Sequence, residues 1–380
     1  MNTVLMTNAL SPKALVCARS LGKRNINVIL GETITLAPSF FSKYCKERFL
    51  YPDPVKYPER FIDKILRVLK KNKVDMILPI NSIETLLVSK YKSEIEKYTI
   101  VPLTNYQKMM MLHDKGFLAE KLSQLQIPHA KTIFINNLEE LPEKAATFIY
   151  PCVIKLRQAT SSKGIWYINR PDELIERYNT IVKKNSLFSE QYPIVQEYIY
   201  GRGAGVSMVY NRGKLIARFS HLRLREYPIT GGPSTFRMSI HHKEMEKSAE
   251  KLINSVGWHG LVMVEFKLTN DNKPILIEVN PRVWGSINQA VVSGVDFPYL
   301  VWKISKNEKV SFNFNYNLKI KTCFILRDIL ALVKLFFNSK NKAVRTIPIG
   351  ENVRYDVLSL RDPLPFFIYL FWRIFKGFVL

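Results

Sequence analysis

The sequence predicts an α/β domain on an open parallel sheet (residues 1–108), an antiparallel-rich α+β region (109–310) and a basic amphipathic C-terminal segment (311–380). Three observations carry this reading. Apolar runs of strand length alternate with helical patterns at the start, as in a parallel sheet with helices on its faces. Beyond Met109, β-rich runs are joined by short Gly- or Asn-containing links that favour hairpins. From Lys319 to Leu380, Lys and Arg outnumber Asp and Glu, and the chain closes on PLPFFIYLFWRIFKGFVL (363–380).

Taken in order, TVLMT (3–7) reads as a strand, PKALVCARSLGKR (12–24) as a helix and NVILG (27–31) as a second strand. A helix over Glu59–Lys71, the strand VDMILPI (74–80) and a helix from Ser82 continue the alternation. The link Asn8–Ser11 lacks G-x-G-x-x-G, which argues against a dinucleotide oxidoreductase. A helix then ends at Ile127-Pro128, followed by strands at 150–156, 164–168, 193–199, 205–210 and 214–224.

Composition bounds the function classes. With 47% apolar and 12% aromatic residues in 380, disorder is excluded and two or three domains are expected. A net charge of +24 favours anionic partners, yet no Lys/Arg block or zinc finger stands out, which disfavours nucleic acid. Cys17, Cys45, Cys152 and Cys323 are scattered, without disulfide or metal-finger spacing, and the N-terminus lacks signal-peptide features, so a cytoplasmic protein is expected. The closing apolar run is shorter than a spanning helix needs and is interrupted by Arg373 and Lys376. Two readings stay open for it: an interfacial helix on an anionic inner-membrane face, or a helix docked on the body.

The most informative stretch is GLVMVEFKLTNDNKPILIEVNPR (260–282). Two β runs flank a turn centred on Asp271-Asn272, and that turn sets Glu265 opposite Glu278, Met263 opposite Asn280 and Lys267 opposite Leu276. Val264, Phe266, Ile277 and Val279 fall on the other, apolar face. Opposed carboxylates repel, so they need compensation, either by a hard cation such as Mg²⁺ or by Lys267 or Arg282. Arg282, two positions past Asn280, emerges on the same side and could grip a phosphoryl or carboxylate oxygen.

Read together with Asp114-Lys115, Val153-Ile154-Lys155 before a small-residue loop, and Gln196-Glu197-Tyr198-Ile199, the set Glu265, Glu278-Val279-Asn280 and Pro281-Arg282 resembles the ATP-grasp superfamily over roughly Met1 to Lys309. The resemblance implies an N-terminal pre-ATP-grasp domain and a two-lobed ATP-grasp domain with its lid lobe at about 125–195. It implies ATP, with Lys115 and Lys155 on the phosphates and the loop Ala159–Gly164, including Ser161, Ser162 and Gly164, closing over them. It further implies that Gln196, Glu197, Tyr198 and Ile199 read adenine, and that Glu265, Glu278 and Asn280 hold Mg²⁺ or Mn²⁺, as two ions. Where relatives carry a ribose ligand past the hinge, this chain has GRGAG (201–205), which means either close backbone approach or a loose hairpin.

The stretch Ser220–Thr235 looks like a carboxylate–amine ligase subgroup, with Arg223, Arg225, Gly231, Gly232 and Ser234 on the acceptor side; Arg223 and Arg225 alternate on one strand face. The expected reaction is ATP-dependent, ADP-forming C–N ligation of small-molecule carboxylate and amine through an acyl phosphate, with Arg282 and Lys155 catalytic. The basic tail associates this with a cell-surface or peptide-type precursor. The rival from another class is a membrane-peripheral nucleotide-binding protein without turnover. A bicarbonate-using carboxylase is disfavoured, because no biotinyl domain or second ATP module fits this length.

Overall fold

The computed structural model describes residues 2–159, 164–228, 231–311, 314–338 and 347–375. Its first unit runs β1 (Thr3–Met6), α1 (Pro12–Gly22), β2 (Asn27–Glu32), β3 (Cys45–Leu50), α2 (Pro58–Lys71), β4 (Met76–Leu78) and α3 (Ser82–Lys90). The strands pair in parallel in the order β3-β2-β1-β4. The apolar runs of β1, β2 and β4 are buried, and α1 starts on Ser11, whose hydroxyl accepts from Lys13 N. Strand β3 was not anticipated: CKERFL is a charged, largely exposed edge strand and lacks an apolar period.

Short helices α4 (Lys92–Ile95), α5 (Tyr106–His113) and α6 (Lys115–Gln124) lead into a second sheet. It is formed by β5 (Thr132–Ile133), β6 (Cys152–Lys155), β7 (Ile165–Ile168) and β8 (Ile194–Glu197), antiparallel in the order β5-β8-β6-β7. Helices α7 (Leu141–Thr147) and α8 (Pro171–Lys184) pack Leu141, Leu174, Tyr178 and Ile181 against Cys152, Ile154, Ile168 and Val195. Lys155 thus lies at the end of a strand with an apolar core on one side.

The third sheet has seven strands. Its members are β9 (Arg202–Asn211), β10 (Lys214–Glu226), β11 (Ser234–Ile240), β12 (Gly260–Leu268) and β13 (Pro274–Asn280), with α9 (Lys243–Ser255), α10 (Ile287–Val292) and α11 (Phe297–Ser305) in the same region. Strands β14 (Lys321–Cys323) and β15 (Val353–Tyr355) complete the order β13-β12-β9-β10-β11-β14-β15. Residues 311–380, read as an extension, therefore supply two strands of this sheet, besides α12 (Ile325–Asn338) and α13 (Leu364–Phe375). Three buried pairs fix them: Arg225–Asp328, Arg237–Asp356 and Arg19–Asp362. The docked-helix reading describes one face of α13, where Tyr369 donates to Leu10 O and Trp372 Nε1 to Leu36 O.

Hairpin β12–β13 keeps the expected opposition of Glu265 with Glu278 and Met263 with Asn280. Beyond Glu265 the register corrects: a bulge pairs Phe266 with Leu276 and Lys267 with Ile275. Leu276, not Ile277, therefore joins Val264, Phe266 and Val279 in the core.

Candidate active site

The site is assembled around the end of β12–β13. Glu265 and Glu278 face each other, and Asn280 Nδ2 donates to an oxygen of each, at 2.9 and 3.3 Å. Arg223 of β10 reaches across to Glu265 and also contacts Glu226, 3.3 Å away. Arg223, which the hairpin sequence alone did not name, is thus the direct counter-ion of Glu265. Gly203, under this contact, has no room for a Cβ, which would lie 2.4 Å from Glu226 Oε1 and 2.7 Å from Arg223 Cδ. GRGAG runs into β9, where Gly203 leaves room for the Arg223 and Glu226 side chains.

Four cations surround Glu278. Burial works to raise its pKa, but Lys115, Lys155, Arg223 and Arg282 outweigh burial and hold the carboxyl below its ordinary value. Glu265 goes the other way: burial raises it against the pull of Arg223, and the charge on Glu278 adds to the rise. The two facing carboxylates are thus driven apart, Glu278 ionising more readily than Glu265. Burial likewise lowers Lys155 to about 8 and lowers Lys115, each opposed by the charge of Glu278.

The lysines come from two elements that meet. Asp114 caps α6, accepting from Gly116 N at 2.9 Å, and pairs with Arg157 Nε at 2.8 Å. Lys115 N donates to Arg157 O, and its Nζ donates to Ala159 O at 2.7 Å. A small cleft of about 20 Å³ opens between Leu112, His113, Lys115, Leu118, Ala159, Glu278 and Asn280. In the expected hinge, at the end of β8, Gln196 is buried and donates to Thr132 Oγ1 at 2.8 Å, while Glu197 Oε1 accepts from Lys131 N. Tyr198 packs edge-on to Tyr167 and Tyr200, and Ile199 is half-buried. Ser161 and Ser162 lie outside the described residues, and Gly164 closes that loop at φ +73°.

On the expected acceptor side, Arg223 lies within β10, Gly231 and Gly232 in the link that follows it, and Ser234 opens β11. Arg225 requires a correction. Bulges on either side of it break the alternation, and its guanidinium is buried against Asp328 and over the Phe236 ring instead of sharing Arg223's face. Arg282 donates to Ser82 Oγ at 2.7 Å and lines a second crevice with Ser82, Thr85, Met109 and His113. Burial, aided by Lys115 and Arg282, lowers His113 to about 4, and His221 is buried against Ser286 Oγ.

The donor set suits a hard cation: two carboxylates and an amide that can turn its oxygen inward. Among the described residues no group of three or more His, Cys, Asp and Glu side chains could hold a metal, so substrate oxygens and water would complete the shell. Buried cations beside such a pair can cradle a polyphosphate and neutralise charge that moves during transfer.

The sequence profile described as "ATP-grasp in the biosynthetic pathway with Ter operon" matches residues 189–323, which contain Gln196–Ile199, the Arg223 strand and the carboxylate hairpin. Over those residues the chain is similar to the ATP-grasp family. It is 26% identical over 239 residues to the formate-dependent phosphoribosylglycinamide formyltransferase of Ignicoccus hospitalis, covering 58% of this chain and 56% of that enzyme. The chain therefore spans about half the length of the curated relatives it matches. The biotin carboxylase of Campylobacter jejuni shares its fold with TM-score 0.70 at 14% identity, over 84% of this chain and 74% of that one. N5-carboxyaminoimidazole synthetase of Staphylococcus aureus does so with TM-score 0.66 at 16% identity, over 93% and 91%.

A polar cluster at the carboxyl ends of the parallel strands escaped the sequence reading. Lys13 Nζ donates to Asn81 Oδ1 at 2.9 Å, Glu32 accepts from Leu10 N, and Tyr51 reaches Glu84. Burial raises Glu84 to about 7, and its Oε2 has no hydrogen-bond partner among the described residues. The only sequence signal was position, since open α/β sheets bind ligands at these strand ends.

Proposed function

We propose that the protein is an ATP- and Mg²⁺-dependent, ADP-forming ligase that joins a carboxylate to an amine. The observation that supports this most is the opposed pair Glu265 and Glu278, ringed by Lys115, Lys155, Arg223 and Arg282. In this reading Lys115 and Lys155 meet the ATP phosphates from beneath, the loop with Ser161, Ser162 and Gly164 covers them, and Gln196 to Ile199 line the adenine. Glu265, Glu278 and Asn280 are the residues that would hold Mg²⁺ or Mn²⁺, as two ions. When bound, such ions screen the charge on the transferred phosphoryl group.

The substrate carboxylate oxygen bonds to the γ-phosphorus as the bond to ADP breaks, and Arg282 and Lys155 stabilise the equatorial charge. The amine then bonds to the acyl carbon, phosphate leaves, and the amine proton passes to solvent. Arg223, Gly231, Gly232 and Ser234 border the acceptor side. The name of one relative specifies dependence on formate, the simplest carboxylate, which supports a carboxylate as first substrate. For the amine we propose amino acids, peptides or amino sugars of a cell-surface or peptide-type precursor.

Product analysis tests this. Wild-type protein with MgATP and pooled carboxylates and amines should release ADP and phosphate only when both pools are present, and Glu278→Gln should lose at least a hundredfold of that rate. AMP and pyrophosphate, or an unaffected Glu278→Gln, would overturn the assignment.

A further inference from the structure

Helix α13 turns two faces to its surroundings. Tyr369 and Trp372 are buried, and their polar tips hold the backbone oxygens of Leu10 and Leu36. On the opposite face Leu364, Phe367, Phe371 and Ile374 recur at helical spacing and are 57, 58, 44 and 66% exposed. Leu360, just before the helix, is 94% exposed. A row of this size on a solvent face marks a contact surface.

The charge of the segment that carries the helix selects the partner. Lys319–Leu380 contains eleven Lys and Arg but four Asp and Glu. Three of those acids, Asp328, Asp356 and Asp362, are buried on Arg225, Arg237 and Arg19, which lie outside the segment. That leaves exposed Glu351 against the segment's cations, including exposed Arg354 and Arg361 before the helix. Arg373 and Lys376 follow in the sequence at its far end. Two copies of a +24 chain would meet cation to cation, whereas an anionic bilayer supplies both the apolar depth and the opposite charge.

We propose that the exposed face of α13 lies on an anionic lipid surface while Tyr369 and Trp372 hold the helix to the body. No helix of the described residues is long and apolar enough to cross a membrane, so the contact is interfacial. It is independent of turnover and needs no nucleotide.

Vesicle co-sedimentation of the full chain tests it. The protein should pellet with phosphatidylcholine vesicles containing phosphatidylglycerol, much less with phosphatidylcholine alone, and lose binding as salt rises. The double substitution Phe367→Glu/Ile374→Glu should weaken binding at least about tenfold while melting as the wild type does, since both side chains already face solvent. Failure to pellet, or equal pelleting of wild type and variant, would overturn the proposal. A wild-type dimer that becomes monomeric in the variant, without vesicle binding, would overturn it in favour of a second copy.

Discussion

A lysine ammonium buried in a strand is costly, and Lys155 shows how that cost is offset: the charge of Glu278 opposes the burial, leaving a pKa of about 8. The sign for binding follows. Below about pH 8 the free protein already carries the charge that a phosphate needs, while above it binding must take up a proton, so affinity falls as pH rises. Nucleotide affinity of the wild type, measured from pH 6.5 to 9.5 by calorimetry, should weaken above about pH 8 by up to tenfold per unit. Lys155→Ala should bind more weakly throughout and lack that step; a step retained in the variant would assign it elsewhere. The Lys and the two Glu were legible because each stands in a short local pattern. Arg223 as the counter-ion of Glu265 was not: the partners are 42 residues apart, and nothing in either segment names the other.

At the scale of elements, hairpin β12–β13 was legible because Asp271-Asn272 fixes the turn and the alternation fixes the face. The bulge after Glu265 was not, since Ile277 is as apolar as Leu276 and only packing chooses between them. Arg225 fails for a related reason: bulges in β10 rotate it off Arg223's face and onto Asp328 of α12. Both partners of that pair are at most 2% exposed, and Thr235 Oγ1 adds a hydrogen bond to Asp328 at 2.6 Å. Removing one partner strands a buried charge. Asp328→Asn should therefore cost about 3–5 kcal/mol in urea unfolding, whereas the paired Arg225→Met/Asp328→Leu replacement should recover most of it. An Asp328→Asn protein as stable as wild type would show that α12 is held by its apolar side chains alone.

Across the whole molecule, the C-terminal residues are tied to the body by arginines far away in sequence, Arg19 lying 343 positions from Asp362. Alternation and charge patterns cannot encode such partners, which is why the segment read as an extension although it completes the large sheet. The candidate site likewise spans units: Lys115 comes from α6, Lys155 from the second sheet, Glu265 and Glu278 from the third, and Arg282 bonds Ser82 of the first. A ligand bridging these pieces must stabilise their assembly by mass action. At a hundredfold excess over its Kd, MgADP should add about 2.7 kcal/mol and raise Tm by several degrees. The shift should require both components: ADP with a chelator should give a smaller rise, and Glu278→Gln should show the same reduced rise with and without Mg²⁺. If Mg²⁺ still augments the shift in that variant, the cation is held elsewhere and the hairpin carboxylates serve only to pair with Arg223, Lys115 and Lys155.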